Sequence, residues 1–154
     1  MTDEPPRELL ADVIINTIYI DNIAEDIIDR FFGFKQKFWS EKNIDEEKIR
    51  IFNKYFFQNA GIITKLRIVR EIIKRDYPKI KFPKDFDNKV DRFYKIRNIF
   101  AHNIALKGTE KKYIPKTKEL NWENLHKEHG GIYDYLVGII MEGAVSILES
   151  ETEV

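Results

Sequence analysis

The sequence predicts an all-α fold, a bundle of four to five main helices with a long loop or short hairpin at about 107–130. Three observations carry this expectation. Apolar residues recur at spacings of three and four in several long stretches, the pattern of one buried stripe per helix. Tyr77-Pro78 and Phe82-Pro83 separate two of those stretches, because a residue before proline is pushed out of helical geometry. A length of 154 residues with 43% hydrophobic and 13% aromatic residues suits one domain, 1–154, with one core.

Asp3 precedes Pro5 and Pro6, and proline is tolerated in a first turn, so a helix is expected to start near residue 5. Leu9, Leu10, Val13, Ile14, Ile18, Ile20, Ile23, Ile27, Ile28 and Phe31 give it a broad apolar face to about Phe32. Gly33 can kink or end it. Phe34, Phe38 and Trp39 form an aromatic surface expected in the core or in a dimer contact. Asp45 can cap a second helix holding Ile49, Phe52, Tyr55 and Phe56, which ends near Asn59 to Gly61; one continuous hairpin arm is the alternative.

From Ile62 to Asp76 the apolar positions again have helical period, while Lys65, Arg67, Arg70, Lys74 and Arg75 are read onto the polar side. Asp85 or Asp87 would cap the next helix, which is expected to run to about Leu106. Residues 107–130 break the pattern, with Tyr113, Ile114, Leu120 and Trp122 able to pin the segment. Ile132 to Leu148 forms the last helix, where Gly138 and Gly143 point to close packing against a neighbour. Residues 1–4 and 149–154 are expected to fray.

Zero cysteines exclude disulfides, thiolate nucleophiles and cysteine-bound zinc. No Gly-rich phosphate loop, zinc motif or Ser/His/Asp arrangement stands out, so no cofactor and no metal are expected. No run approaches eighteen uncharged apolar residues, and MTDEPPRELL lacks the regions of a signal peptide, so a cytoplasmic, membrane-free protein is expected. His126 and His129, three apart in HKEH, could ligate a metal with Glu123 or Glu128, but an ordinary solvated pair in a loop is favoured.

The formal net charge is zero, yet its distribution is uneven. Residues 1–29 hold eight acids and only Arg7 as a base, whereas basic side chains cluster over 65–84 and again at Lys107, Lys111, Lys112, Lys116 and Lys118. Lys65, Arg70, Lys107, Lys111 and Lys112 are therefore the candidate contacts to an RNA backbone.

The stretch with the most chemistry is RNIFAHN, Arg97 to Asn103. Arg97 offers a phosphate-binding cation, Asn98 an amide and His102 a group that titrates near neutral pH. Eight arginines and three histidines predict roughly 0.16 accidental Arg-x4-His pairs, and requiring asparagine after the arginine lowers this further, so the pattern is informative. Phe86, Val90, Phe93, Arg97, Phe100 and Ile104 read as one stripe that Arg97 interrupts. Asn98 and His102 share a helical face, but Arg97 and His102 are about 140° apart around a regular helix. Their convergence on one phosphate requires a bend, long reaching side chains, or a second copy of the chain.

RNIFAH, inside a late helix of a small helical chain, resembles the Arg-x4-6-His signature of the HEPN superfamily. That resemblance implies an HEPN-like helical bundle that dimerises with two motifs facing each other, and many members are metal-independent endoribonucleases. Arg97, Asn98 and His102 would be the catalytic residues. The variant IRNIFAHN is also similar to HEPN-like proteins related to the mannitol repressor, whose functions are less clearly nucleolytic. Ile104 stands where the toxins of the nucleotidyltransferase-paired subfamily carry a modified tyrosine, a departure from that regulatory chemistry.

The expectation is a homodimeric RNA-binding protein of toxin or defence type that cleaves RNA to 2′,3′-cyclic phosphate ends. The alternative is a non-catalytic regulatory or adaptor dimer binding nucleotide, RNA or protein. A protein antitoxin or regulatory partner is a further expected partner, and a third reading treats the protein itself as an antitoxin-like or assembly partner whose aromatic excess at Phe31 to Trp39 and Phe52 to Phe57 marks a heterologous interface.

Overall fold

A computed structural model of the chain describes residues 4–32, 46–103 and 121–152. All regular structure among them is helical: α1 (Arg7–Phe31), α2 (Glu46–Phe52), α3 (Ile62–Asp76), α4 (Phe86–His102) and α5 (Trp122–Thr152), with a π-helical turn (Asn53–Phe57) continuing α2. The protein is an all-α helical bundle.

Helix α1 is the hub, packed against α3, α4 and α5. Its buried Val13, Ile20, Ala24, Ile27 and Ile28 follow the three-and-four spacing that puts one face inward. Side-chain pairings fix the directions of the helices. Asp21 and Glu25 meet Lys65 while Phe31 meets Arg75, so α1 and α3 run parallel. His126 reaches Asp12 and Tyr133 packs near Tyr19, so α5 is parallel to α1 as well. Helix α4 runs the other way, with Phe100 against Trp122 at one end and Asp85 bonded to Tyr135 at the other.

The last helix begins earlier than the sequence pattern indicates. Residues 122–130, expected in a loop or hairpin, are the first turns of α5. Asn121 starts it as a cap, its side-chain oxygen accepting from the Asn124 amide at 3.1 Å and its carbonyl from Leu125 at 3.0 Å. The burial of Leu125, His129 and Ile132 offsets the cost of carrying Gly130 and Gly131 inside a helix, about 1 kcal/mol each. At the other end the helix persists to Thr152, against the fraying expected from residue 149.

Gly143 lies where α5 crosses α3, and a Cβ there would come within 2.5 Å of Ile73 Cδ1. The close approach expected at this glycine is present, whereas Gly138 faces open space. By length and composition α5 is apolar enough over Trp122–Ile147 to cross a membrane, with mean hydropathy 1.2. Within the bundle that apolar content supplies Leu125, Ile132, Leu136, Ile140 and Ala144 to the core. The expected contributions of Phe34, Phe38, Trp39, Asp45, Tyr113, Ile114 and Leu120 lie outside the described residues.

Candidate functional site

The buried line of α4 is Phe86, Val90, Phe93, Ile96 and Phe100. It passes through Ile96, so Arg97 flanks the core stripe and does not interrupt it as the sequence pattern indicates. At 3.6 residues per turn either residue can follow Phe93, and the apolar one is the one sealed off. Arg97 is half-buried beside it. Its Nη1 donates to Asn98 Oδ1 at 3.1 Å, and no carboxylate among the described residues comes within ion-pair distance.

His102 is exposed at the last residue of α4. Asn103, which follows it, is buried; its Nδ2 donates to the Ile99 carbonyl at 2.6 Å, while its Oδ1 is buried without a partner among the described residues. Sequence reasoning assigns Asn103 no role, although a polar residue three positions beyond Phe100 continues the core spacing.

Arg97 does not point along α4 toward His102. It lines a cleft of about 250 Å³ between α1, α3 and α4, together with Tyr94, Asp21, Lys65 and three isoleucines, Ile14, Ile18 and Ile62. His102 is not among the cleft walls. A single chain therefore keeps the two motif residues on different surfaces, as their angular separation requires.

Two of the candidate RNA contacts, Lys65 and Arg70, lie among the described residues. Lys65 belongs to the core side of α3, only 4% exposed, not to its polar side. Its Nζ donates to Asp21 at 3.0 and 3.2 Å and to Glu25 at 2.7 Å, and lies over the Phe57 ring. Burial alone pulls the Lys65 pKa down, but hydrogen bonds to Glu25 and Asp21 outweigh it and hold the pKa above the ordinary value. This ammonium is committed to two acids of α1 and is not free to take a backbone phosphate.

Arg70 donates from Nη1 to Asp87 Oδ1 at 2.7 Å and lies over the Phe86 ring, tying α3 to α4. The Asp87 carboxylate is held below its usual range by that bond. Arg67 pairs with Asp87 and Asp91, so much of the positive charge read along α3 is answered by acids on α4. Lys107, Lys111 and Lys112 lie outside the described residues.

The histidines of HKEH sit on α5, not in a loop, and they differ. His126 is partly exposed with Nε2 3.1 Å from Asp12 Oδ2. His129 is 1% exposed and stacks on Phe93. The Thr17 hydroxyl donates to the Val13 carbonyl at 2.7 Å, and its oxygen lies 3.2 Å from His129 Nε2. With its one proton spent on the carbonyl, that oxygen accepts from the ring N–H. Burial, with a smaller contribution from His126, pushes the His129 pKa down to about 4. Glu128 is gripped by Arg92 at 2.6 and 2.9 Å, and among the described residues no three acids or histidines are grouped to hold a metal.

The chain matches no family model, no curated protein and no solved structure.

Proposed function

We propose that the protein is an HEPN-like homodimer that binds RNA through Arg97, Asn98 and His102 and cleaves it without a metal ion. The observation that carries this reading is the state of Arg97. A half-buried guanidinium with no carboxylate within ion-pair distance among the described residues, held by the amide that follows it, is poised for an anion. The exposed imidazole of His102 on the same helix end supplies a group able to accept and donate a proton.

In the reaction, the ribose 2′-oxygen attacks the adjacent phosphorus and loses its proton to an imidazole, while the 5′-oxygen leaves and takes up a proton. The products are a 2′,3′-cyclic phosphate and a 5′-hydroxyl, and DNA lacks the nucleophile. Arginine stabilises the charge developing on the phosphate oxygens. Because Arg97 and His102 diverge within one subunit, the centre is composed from two copies of the chain.

The test is incubation of RNA and DNA with wild-type protein, Arg97→Ala and His102→Ala, with and without a chelator, after confirming that all three are folded dimers. Chelator-resistant cleavage of RNA alone, lost in both variants, is the expected result. Intact RNA in every tube favours the second reading, a non-catalytic regulatory or adaptor dimer. The turn of Arg97 into the cleft, away from His102, is the observation on that side.

A further inference from the structure

We infer that the cleft between α1, α3 and α4 is a binding site for a small organic monoanion, its charged group on Arg97 and its apolar part against Ile14, Ile18 and Ile62. This goes beyond the RNA reading, because the cleft is complete within one subunit and His102 takes no part in its walls.

The argument begins with unspent donors. A guanidinium has five N–H groups, and among the described residues the only side-chain hydrogen bond Arg97 makes is the one to Asn98. The Tyr94 hydroxyl, on the same wall one turn earlier, has no partner among the described residues. Other polar groups of the cleft are already occupied: Lys65 by Asp21 and Glu25, and the Thr17 hydroxyl by Val13 and His129. An incoming anion therefore meets Arg97 and Tyr94 as its donors.

Charge then sets the valence. Lys65 is paired with Asp21 and Glu25, so one added negative charge is answered at the Arg97 guanidinium, while a second would meet the Asp21 carboxylate that lines the same cleft. A monoanion is selected over a dianion. Size sets the rest, since the cleft holds about 250 Å³. Pockets for drug-sized ligands start at roughly 300 Å³. A carboxylate on a single ring or short chain fits, and so does a phosphodiester group with one ring. Ile18, 53% exposed at the cleft, leaves the apolar wall open to such a body.

The experiment is a ¹H–¹⁵N NMR titration of the full chain with two monoanions, benzoate and methyl phenyl phosphate. Benzyl alcohol serves as the neutral control and phenyl phosphate at pH 8 as the dianion. Saturable shifts on α1, α3 and α4 with at least one monoanion are expected, with both controls at least tenfold weaker; which monoanion binds identifies the ligand as carboxylate or phosphodiester. Arg97→Gln is expected to weaken binding at least tenfold. Ile18→Asp, a change at an exposed position that adds a repelling charge, should do the same without threatening the fold. Absence of saturable binding by both monoanions overturns the assignment, as does equal affinity for benzyl alcohol or unchanged affinity in folded Arg97→Gln or Ile18→Asp protein.

Discussion

The His129 imidazole lies flat on the Phe93 ring, centroids 4.2 Å apart and planes 14° from parallel, joining α5 to α4 at the middle of the bundle. Thr17 completes the arrangement from α1, so three helices meet at one neutral imidazole. The group stays neutral because a charged ring at 1% exposure would lose its hydration, with only a hydroxyl and an aromatic face in return.

A pH dependence follows. His129 has a pKa of about 4 in the folded chain against 6.5 as its ordinary value. Between those values the unfolded chain binds the proton and the folded chain does not, so the stabilisation is present above pH 6.5 and is lost as pH falls toward 4. The full loss is roughly 3 kcal/mol from this residue. Urea unfolding at pH 7, 5.5 and 4.5 should show the decline, and His129→Phe should remove that share of it. An identical slope in the variant would assign the acid sensitivity to other groups.

How legible this is in the sequence depends on what tertiary contact has to supply. The stripes of α1, α3 and α4 are plain in the spacing of Val13, Ile20, Ile27, of Leu66, Val69, Ile73 and of Phe86, Val90, Phe93. The start of α5 is not, because Gly130-Gly131 and the charges of HKEH resemble a loop, although Trp122, Leu125, His129, Ile132 and Leu136 already keep helical spacing. Lys65 looks like one more solvated base of α3. Its partners Asp21 and Glu25 stand four apart on α1, and only the packing of the two helices shows that they meet. Arg97 and His102 are visible as a motif, whereas the cleft that holds Arg97 requires Ile14 and Ile18 from a helix some eighty residues earlier.

Lys65→Met keeps much of the side-chain volume and removes the charge, leaving Asp21 and Glu25 facing each other without a cation. Breaking a fully buried pair costs about 3–5 kcal/mol, and the partial exposure of both acids lowers the expected loss to about 2 kcal/mol. Adding Asp21→Asn and Glu25→Gln should recover part of it, since the repulsion goes with the charges. Denaturant midpoints of the single and triple variants decide this. A triple variant weaker than Lys65→Met alone would refute the account.

Two glycines of α5 should respond oppositely to alanine. Gly138 meets nothing within 4 Å, so Gly138→Ala gains helix propensity and raises stability by about 0.5–1 kcal/mol. At Gly143 the new Cβ falls 2.5 Å from Ile73 Cδ1 and 2.9 Å from Cγ1, in a side chain with no exposure. Overpacking of that kind costs about 1–3 kcal/mol, which exceeds the propensity gain. Ile73→Val removes the Cδ1 atom, so the double variant should be more stable than the two single losses added together. Thermal melts of the four proteins measure the coupling.

If each catalytic centre takes its arginine from one subunit and its histidine from the other, the two inactive variants should rescue each other. In a mixed dimer of Arg97→Ala and His102→Ala chains, the His102→Ala subunit still carries Arg97 and the Arg97→Ala subunit still carries His102. One of the two centres is then whole. Random reassortment makes half of the dimers mixed, so an equimolar mixture should recover about a quarter of the wild-type rate. A centre contained within one subunit predicts no recovery, because every chain in the mixture lacks one of its two groups. The separate variants should each fall by about 10²–10⁴-fold if proton transfer and charge stabilisation contribute as general acid–base and electrostatic groups do. The rates are read from release of 5′-hydroxyl ends after subunit exchange, with exchange itself verified by mass spectrometry. Full exchange without recovered cleavage would remove the composite centre and place the reaction, if any remains in wild type, on a single α4 helix whose two groups point apart.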